Sequence, residues 1–278
     1  MEVKQNQDAE NSNTELLMPE DNVLVYSRGE DKRLLYLLDG EKPDQTTVGF
    51  FELYDVELTD DPHVRSLAFH NRKLYDGSDD GKIRETLTGN LVAERPGLTI
   101  RNGKSTVIPN AAVQSLCSSD VALYDCGNYG KIYNTLTGEM IAERPGSVWS
   151  LCSHKGELHD LGSNAEIHET LTGEKVMDRM RSGAIHGIFS YDDTWYDYGS
   201  SGIHETLTGK LVAERAGTVW SLCSHNGDLY DGSGEGIHET LTGKLVAEGR
   251  IFAMASVPRS IFLERVQYFS KGANKRER

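Results

Sequence analysis

Asp76, Asp125, Asp160, Asp197 and Asp231 recur along the chain, and after each a glycine follows at once or one residue later. Carboxylates gathered at one rim could hold a cation or a basic partner. The simpler expectation is a structural residue present in every copy, accepting backbone N–H bonds at a turn. His168, His204 and His238 sit beside Glu169, Glu205 and Glu239. Such pairs look metal-like, but metal ligands must converge on one point within about 2.0–2.2 Å. Residues repeated around a ring point apart, so packing at a strand edge is expected and no metal site. Cys117, Cys152 and Cys223 share one place in three copies and Cys126 stands elsewhere, with no CxxC spacing. Small buried thiols in a reducing compartment are expected rather than disulfides or zinc. GxSxG, HExxH and phosphate-cradling glycine loops are absent, so no catalytic residue and no cofactor is assigned.

These residues repeat because the chain does. The stretch VWSLCSHNGDLYDGSGEGIHETLTGKLVAE (219–248) returns with variations from Val64, Val113, Val148 and Ile185. The glycine closing each TLTG turn falls at Gly89, Gly138, Gly173, Gly209 and Gly243, spaced 49, 35, 36 and 34 residues apart. Within the unit, Val219–Cys223 reads as a buried strand, Asn226-Gly227 as a tight hairpin turn, Leu229–Asp231 as a second strand, Ile237–Glu239 as a third and Lys244–Ala247 as a fourth. No segment keeps a 3.6-residue period for three turns. Four short antiparallel strands cannot bury both faces alone, so neighbouring units must stack, and a propeller of four-stranded blades is the expected architecture.

The segment SLAFHNRKLYDGSDDGKIRETLTGNLVAE (66–94) resembles the WD-repeat β-propeller family in its order of strands and turns. The family's Trp-Asp and Gly-His dipeptides are missing, so its buried Trp, Asp, Ser/Thr and His hydrogen-bond set is not carried over. The resemblance implies a loop face around a central channel, the face such proteins use for partners.

Counting a degenerate first blade (Val23–Ser27 to Val56–Leu58), five clear repeats and a final segment from Ile251 gives an all-β, seven-bladed propeller. In this count Arg265–Ser270 supplies a third strand to the last blade and Leu16–Met18 closes it, which removes both sheet edges. If Ile261–Phe269 is a short helix instead, six blades is the alternative. The expected division is a disordered polar tail over 1–13, one propeller domain over 14–270 and a basic tail over 271–278. The net charge of −14 disfavours a nucleic-acid backbone as partner. No apolar run is long enough to span a membrane and no signal-peptide core opens the chain. A soluble, cytoplasmic, monomeric protein is the default expectation.

The most informative position is the one where the copies disagree. The second residue of the first strand reads Leu24, Arg65, Gln114, Trp149, His186, Trp220 and Phe252, beside steadier V-x-S-L neighbours. A core site in near-identical repeats does not tolerate such changes of volume and charge, which places it at a channel mouth. Arg65, Trp149, His186 and Trp220 are the expected anchors for a protein or peptide partner. Arg95, Arg144 and Arg215, from the loops between blades, are expected to form a basic rim for an acidic or phosphorylated segment. Arg101 and Lys104, in the insertion LTIRNGKSTVIPNAA (98–112), are expected to join them. The expected function is a non-catalytic binding scaffold. The alternatives are an enzyme or metal site in the channel using the aspartates, or a carbohydrate-binding propeller using pockets between blades.

Overall fold

The computed structural model describes residues 22–28, 33–38, 47–52, 63–95, 97–101, 104–108, 112–178 and 183–262. Five blades are each built from four consecutive antiparallel strands, paired first to second to third to fourth. Blade 1 runs from its first strand Val64–His70 to its fourth, Asn90–Glu94. Blade 2 runs from Val113–Ser118 to Met140–Glu143, and blade 3 from Val148–His154 to Lys175–Asp178. Blade 4 runs from Ile185–Tyr191 to Leu211–Ala213, and blade 5 from Val219–His225 to Leu245–Glu248. The insertion after blade 1 is a hairpin of its own, Gly97–Arg101 paired with Lys104–Ile108.

The remaining four-stranded sheet is shared by both ends of the described chain. Ile251–Pro258 is its innermost strand, followed outward by Asn22–Arg28, Arg33–Leu38 and Thr47–Glu52. The expected seven blades, and the alternative of six, are therefore corrected to five sequential blades plus this composite sheet. The first and last blades of the sequence count are one object. Pro258 cannot donate to a further ladder, and residues 259–262 turn helical, burying Ile261 and Phe262 instead of folding back as a second strand. The second strand comes from Asn22–Arg28, whose residues 23–27 are all buried. The expected third strand at Arg265–Ser270, the closing strand at Leu16–Met18 and both tails lie outside the described residues.

The innermost strands neighbour one another in order, and Ile251–Pro258 sits between Val219–His225 and Val64–His70, which closes the ring. The core is divided among the blade junctions. Blades 1 and 2 bury Ala68, Tyr75 and Ile83 against Val113, Leu116 and Leu123. The composite sheet and blade 1 bury Val23, Val25, Ala253 and Phe262 against Val64 and Leu67. Each such aliphatic side chain contributes roughly 1.5–3 kcal/mol on burial. The turns behave as their sequences require: Asn226 and Gly227 both hold positive φ (49° and 85°), the twist of a two-residue hairpin.

One irregularity recurs. The ladder between first and second strands slips between Val64 and Ser66, Val113 and Ser115, Val148 and Ser150, Ile185 and Gly187, and Val219 and Ser221. The composite sheet slips likewise, with Ile251 opposite Arg28 and Ala253 opposite Ser27. A bulge leaves its extra residue unpaired and re-aims its side chain. The extra residue is the variable second position every time.

Candidate functional site: the channel mouth

The bulge residues Arg65, Gln114, Trp149, His186, Trp220 and Phe252 all line a central cavity of about 660 Å³. Each is half-buried, whereas Val64, Val113, Val148, Ile185, Val219 and Ile251 beside them are buried. Four of them form a continuous arc of rings. Trp149 stacks on His186 at 6.4 Å between centroids and 25° between planes. His186 meets Trp220 at 4.7 Å, and Trp220 meets Phe252 at 5.5 Å. Such tilted and offset contacts suit the ring quadrupoles and hold the arc in place. Burial lowers the pKa of His186, so the imidazole in the arc is neutral near pH 7. Across the mouth, Gln114 donates to Asn128 at 3.0 Å. Arg65 is gripped by Asp79 through two bonds of 2.6 and 3.2 Å, and its guanidinium lies 5.8 Å from the Phe252 centroid. The structure thus brings Arg65, Trp149, His186 and Trp220 together. Leu24 does not belong with them: it is buried on the second strand of the composite sheet, opposite Ser256. Phe252, one of the varying residues but not one of the expected anchors, completes the arc, and Arg250 precedes it. Arg250 lies 5.8 Å from the Trp220 centroid and 4.9 Å from that of Phe252.

The expected basic rim is corrected. Arg95, Arg144 and Arg215 follow the fourth strands, as anticipated, but their side chains turn into the junction with the next blade. Arg95 donates to Asp125 at 2.7 and 2.6 Å, Arg144 to Asp160 at 3.0 and 2.8 Å, and Arg215 to Asp231 at 2.8 and 2.6 Å. The aspartates are wholly buried and the arginine side chains are only 8–12% exposed. Arg144 and Arg215 donate further to the carbonyls of Thr170 and Thr240. Burial opposes the charge of Arg95, and the bonds and charge of Asp125 more than offset it, so its pKa is held above the usual value. These guanidiniums are thus engaged between blades rather than turned outward as a rim. Arg101 and Lys104 face each other across the tip of the inserted hairpin, and their side chains lie outside the described residues.

The same pairs engage three of the five aspartates on which the metal or enzyme alternative rests. Asp125, Asp160 and Asp231 point into separate junctions, each answered by an arginine. His168 and His238 stand 3.9 and 3.7 Å from Asp160 and Asp231 within their own blades rather than converging. Among the described residues no group of three or more His, Cys, Asp or Glu could hold a metal ion. At three junctions the space the carbohydrate alternative would use is occupied by these arginines, with Arg95 lying 4.3 Å over the Tyr133 ring.

At the far end of the inner strands, His70, His154 and His225 reach across junctions to Ser118, Ser190 and Ser256 at 3.0, 2.8 and 3.0 Å. These resemble nucleophile–base pairs, but at His225 the tautomer is wrong. Asn226 accepts from the Asn22 N–H through Oδ1, so its Nδ2 donates to His225 Nε2. Nδ1 then carries the proton and donates to Ser256, and cannot take the serine's proton. The contacts are latches between blades.

No protein-family model matches the chain, and no curated protein matches it in sequence. Solved structures do resemble it. A chain of the mitotic checkpoint complex aligns with a TM-score of 0.50 at 13% identity, over 84% of this chain and 79% of that one. The WD40 β-propeller domain of Doa1 aligns at 0.49 and 14% identity, over 84% and 82%. BamB from Moraxella catarrhalis aligns at 0.44 and 18%, over 78% and 68%. At such identities the likeness concerns fold alone, and the chain is a β-propeller of four-stranded antiparallel sheets.

Proposed function

We propose that this propeller is a non-catalytic docking platform that binds a protein or peptide segment at the channel mouth. The observation that carries the reading is the half-buried arc Trp149–His186–Trp220–Phe252, held open on bulges above a cavity. Aromatic side chains that keep one face exposed are the residue types that dominate binding energy at interfaces. The fixed frame of bulges and ring contacts lowers the cost of ordering them on binding. The fold neighbours are in keeping with such a scaffold, one of them being part of a multiprotein assembly. Four buried free thiols fit work in a reducing compartment such as the cytoplasm.

Selection of displayed random dodecapeptides on the purified protein tests the reading. Peptides selected on the wild type should lose about thirtyfold or more in affinity for a Trp149→Ala/Trp220→Ala variant, the scale of hot-spot truncation. Undiminished binding to that variant, at unchanged melting temperature, would overturn it.

A further inference from the structure

The arginine–aspartate link is absent at the junction between blade 5 and the composite sheet, and both of its members are replaced at once. Gly249 stands at the arginine's place: its N–H donates to the Glu235 carbonyl at 3.0 Å, as Arg95 does to Gly81 and Arg144 to Gly130. Tyr26 stands at the aspartate's place, opposite Met254 as Asp231 is opposite Leu222. Tyr26 is buried among Leu24, Cys223, Ile237 and Met254. The cation reappears one residue later as Arg250, which is exposed and lies over Trp220 and Phe252. Arg65 lies over the same Phe252 ring. Among the described residues the carboxylate paired with these two guanidiniums is Asp79, and it spends both oxygens on Arg65. Among the described residues no carboxylate forms an ion pair with Arg250.

From this charge imbalance we infer that Arg250 is a specificity-determining residue that receives a carboxylate, an Asp or Glu side chain, from a segment docked on the aromatic arc. This rests on the docking function proposed above. Among the described residues the Arg250 charge is left unanswered, and a single carboxylate neutralises it; the guanidinium fork can take both of its oxygens at once. The rings of Trp220 and Phe252 lie within cation–π reach of the guanidinium and favour its place beside the arc. The protein as a whole is strongly acidic, with a net charge of −14. That field repels acidic segments elsewhere and disfavours a phosphate dianion at a site with one spare charge. The partner fitted is therefore a peptide with an Asp or Glu next to an apolar or aromatic residue that lies against Trp149 and Trp220.

The test uses the dodecapeptides selected on the wild-type protein and sensitive to Trp149→Ala/Trp220→Ala. Asp or Glu should be enriched beside an apolar residue, and the enrichment should vanish on Arg250→Gln protein. One such peptide is then made with Glu, Gln or phosphoserine at that position. The Glu→Gln change should weaken binding to wild type about tenfold, the scale of one charge-assisted pair, and leave binding to Arg250→Gln protein unchanged. The phosphoserine peptide should bind no more tightly than the Glu peptide. Mouth-dependent peptides without acidic enrichment, or an equal Glu→Gln effect in both proteins, would overturn the carboxylate assignment and leave the docking function standing. Tighter binding of phosphoserine would overturn the choice of carboxylate. An absence of mouth-dependent peptides would overturn docking and this inference together. Arg250 is exposed, and an unchanged melting temperature of Arg250→Gln will exclude misfolding as the cause.

Discussion

Arg215 and Asp231 join two neighbouring blades through paired bonds of 2.8 and 2.6 Å, with the carboxylate fully buried. Charged groups sealed this way are tolerated only together. Asp231→Ala should cost about 3–5 kcal/mol by stranding a buried guanidinium. Arg215→Ala/Asp231→Ala should recover part of that loss. Urea denaturation checks it, and a double variant no more stable than Asp231→Ala would contradict the account.

Blade 4 exchanges a pair in another way. Where the other blades place Ser66, Ser115, Ser150 and Ser221, blade 4 has Gly187, and a Cβ there would overlap the Tyr198 phenol across the strand. Tyr198 is bonded to Ser150 of the preceding blade, and burial raises its pKa. Gly187→Ala should destabilise by about 1–3 kcal/mol through overpacking. Adding Tyr198→Leu should return some of it, as read by thermal melting.

The inter-blade histidines make stability sensitive to mild acid. Burial lowers the pKa of His70, His154 and His159 below the ordinary histidine value. The unfolded chain then binds more protons than the folded one below about pH 6.5. Their contribution is intact above that pH and lost as the pH falls toward their folded values. The melting temperature should drop between pH 7 and pH 5, and less so for His70→Gln. A flat profile would contradict this.

Burial pushes the thiols of Cys117 and Cys223 up to about 12, and those of Cys126 and Cys152 upward as well. Thiolate is the reactive form. Ellman's reagent should therefore titrate the four thiols only as the protein unfolds in guanidinium, and fast labelling of the native protein would count against the fold.

Strands and turns were legible because TLTG, Asn-Gly and V-x-S-L each specify local geometry. The blade count was not. Ile251–Ser256 reads as the start of a further repeat, and nothing local reveals that its ladder partner is Asn22–Arg28, more than two hundred residues away. The mouth was legible in part, because a bulge frees one position per strand to vary, and Arg65, Trp149, His186 and Trp220 vary there. Arg95, Arg144 and Arg215 were misread because their partners lie 30, 16 and 16 residues ahead, in the next blade.

The docking mouth is tested most directly by tryptophan emission. Of the three tryptophans, Trp149 and Trp220 are half-buried in the arc, while Trp195 is 8% exposed inside blade 4 and serves as an internal reference. Saturation with a selected peptide should shift emission to the blue and shield the fluorescence from acrylamide, with both effects absent in Trp149→Ala/Trp220→Ala. Unaltered quenching of the wild type at saturating peptide would show that partners bind elsewhere and would contradict the assignment of the mouth.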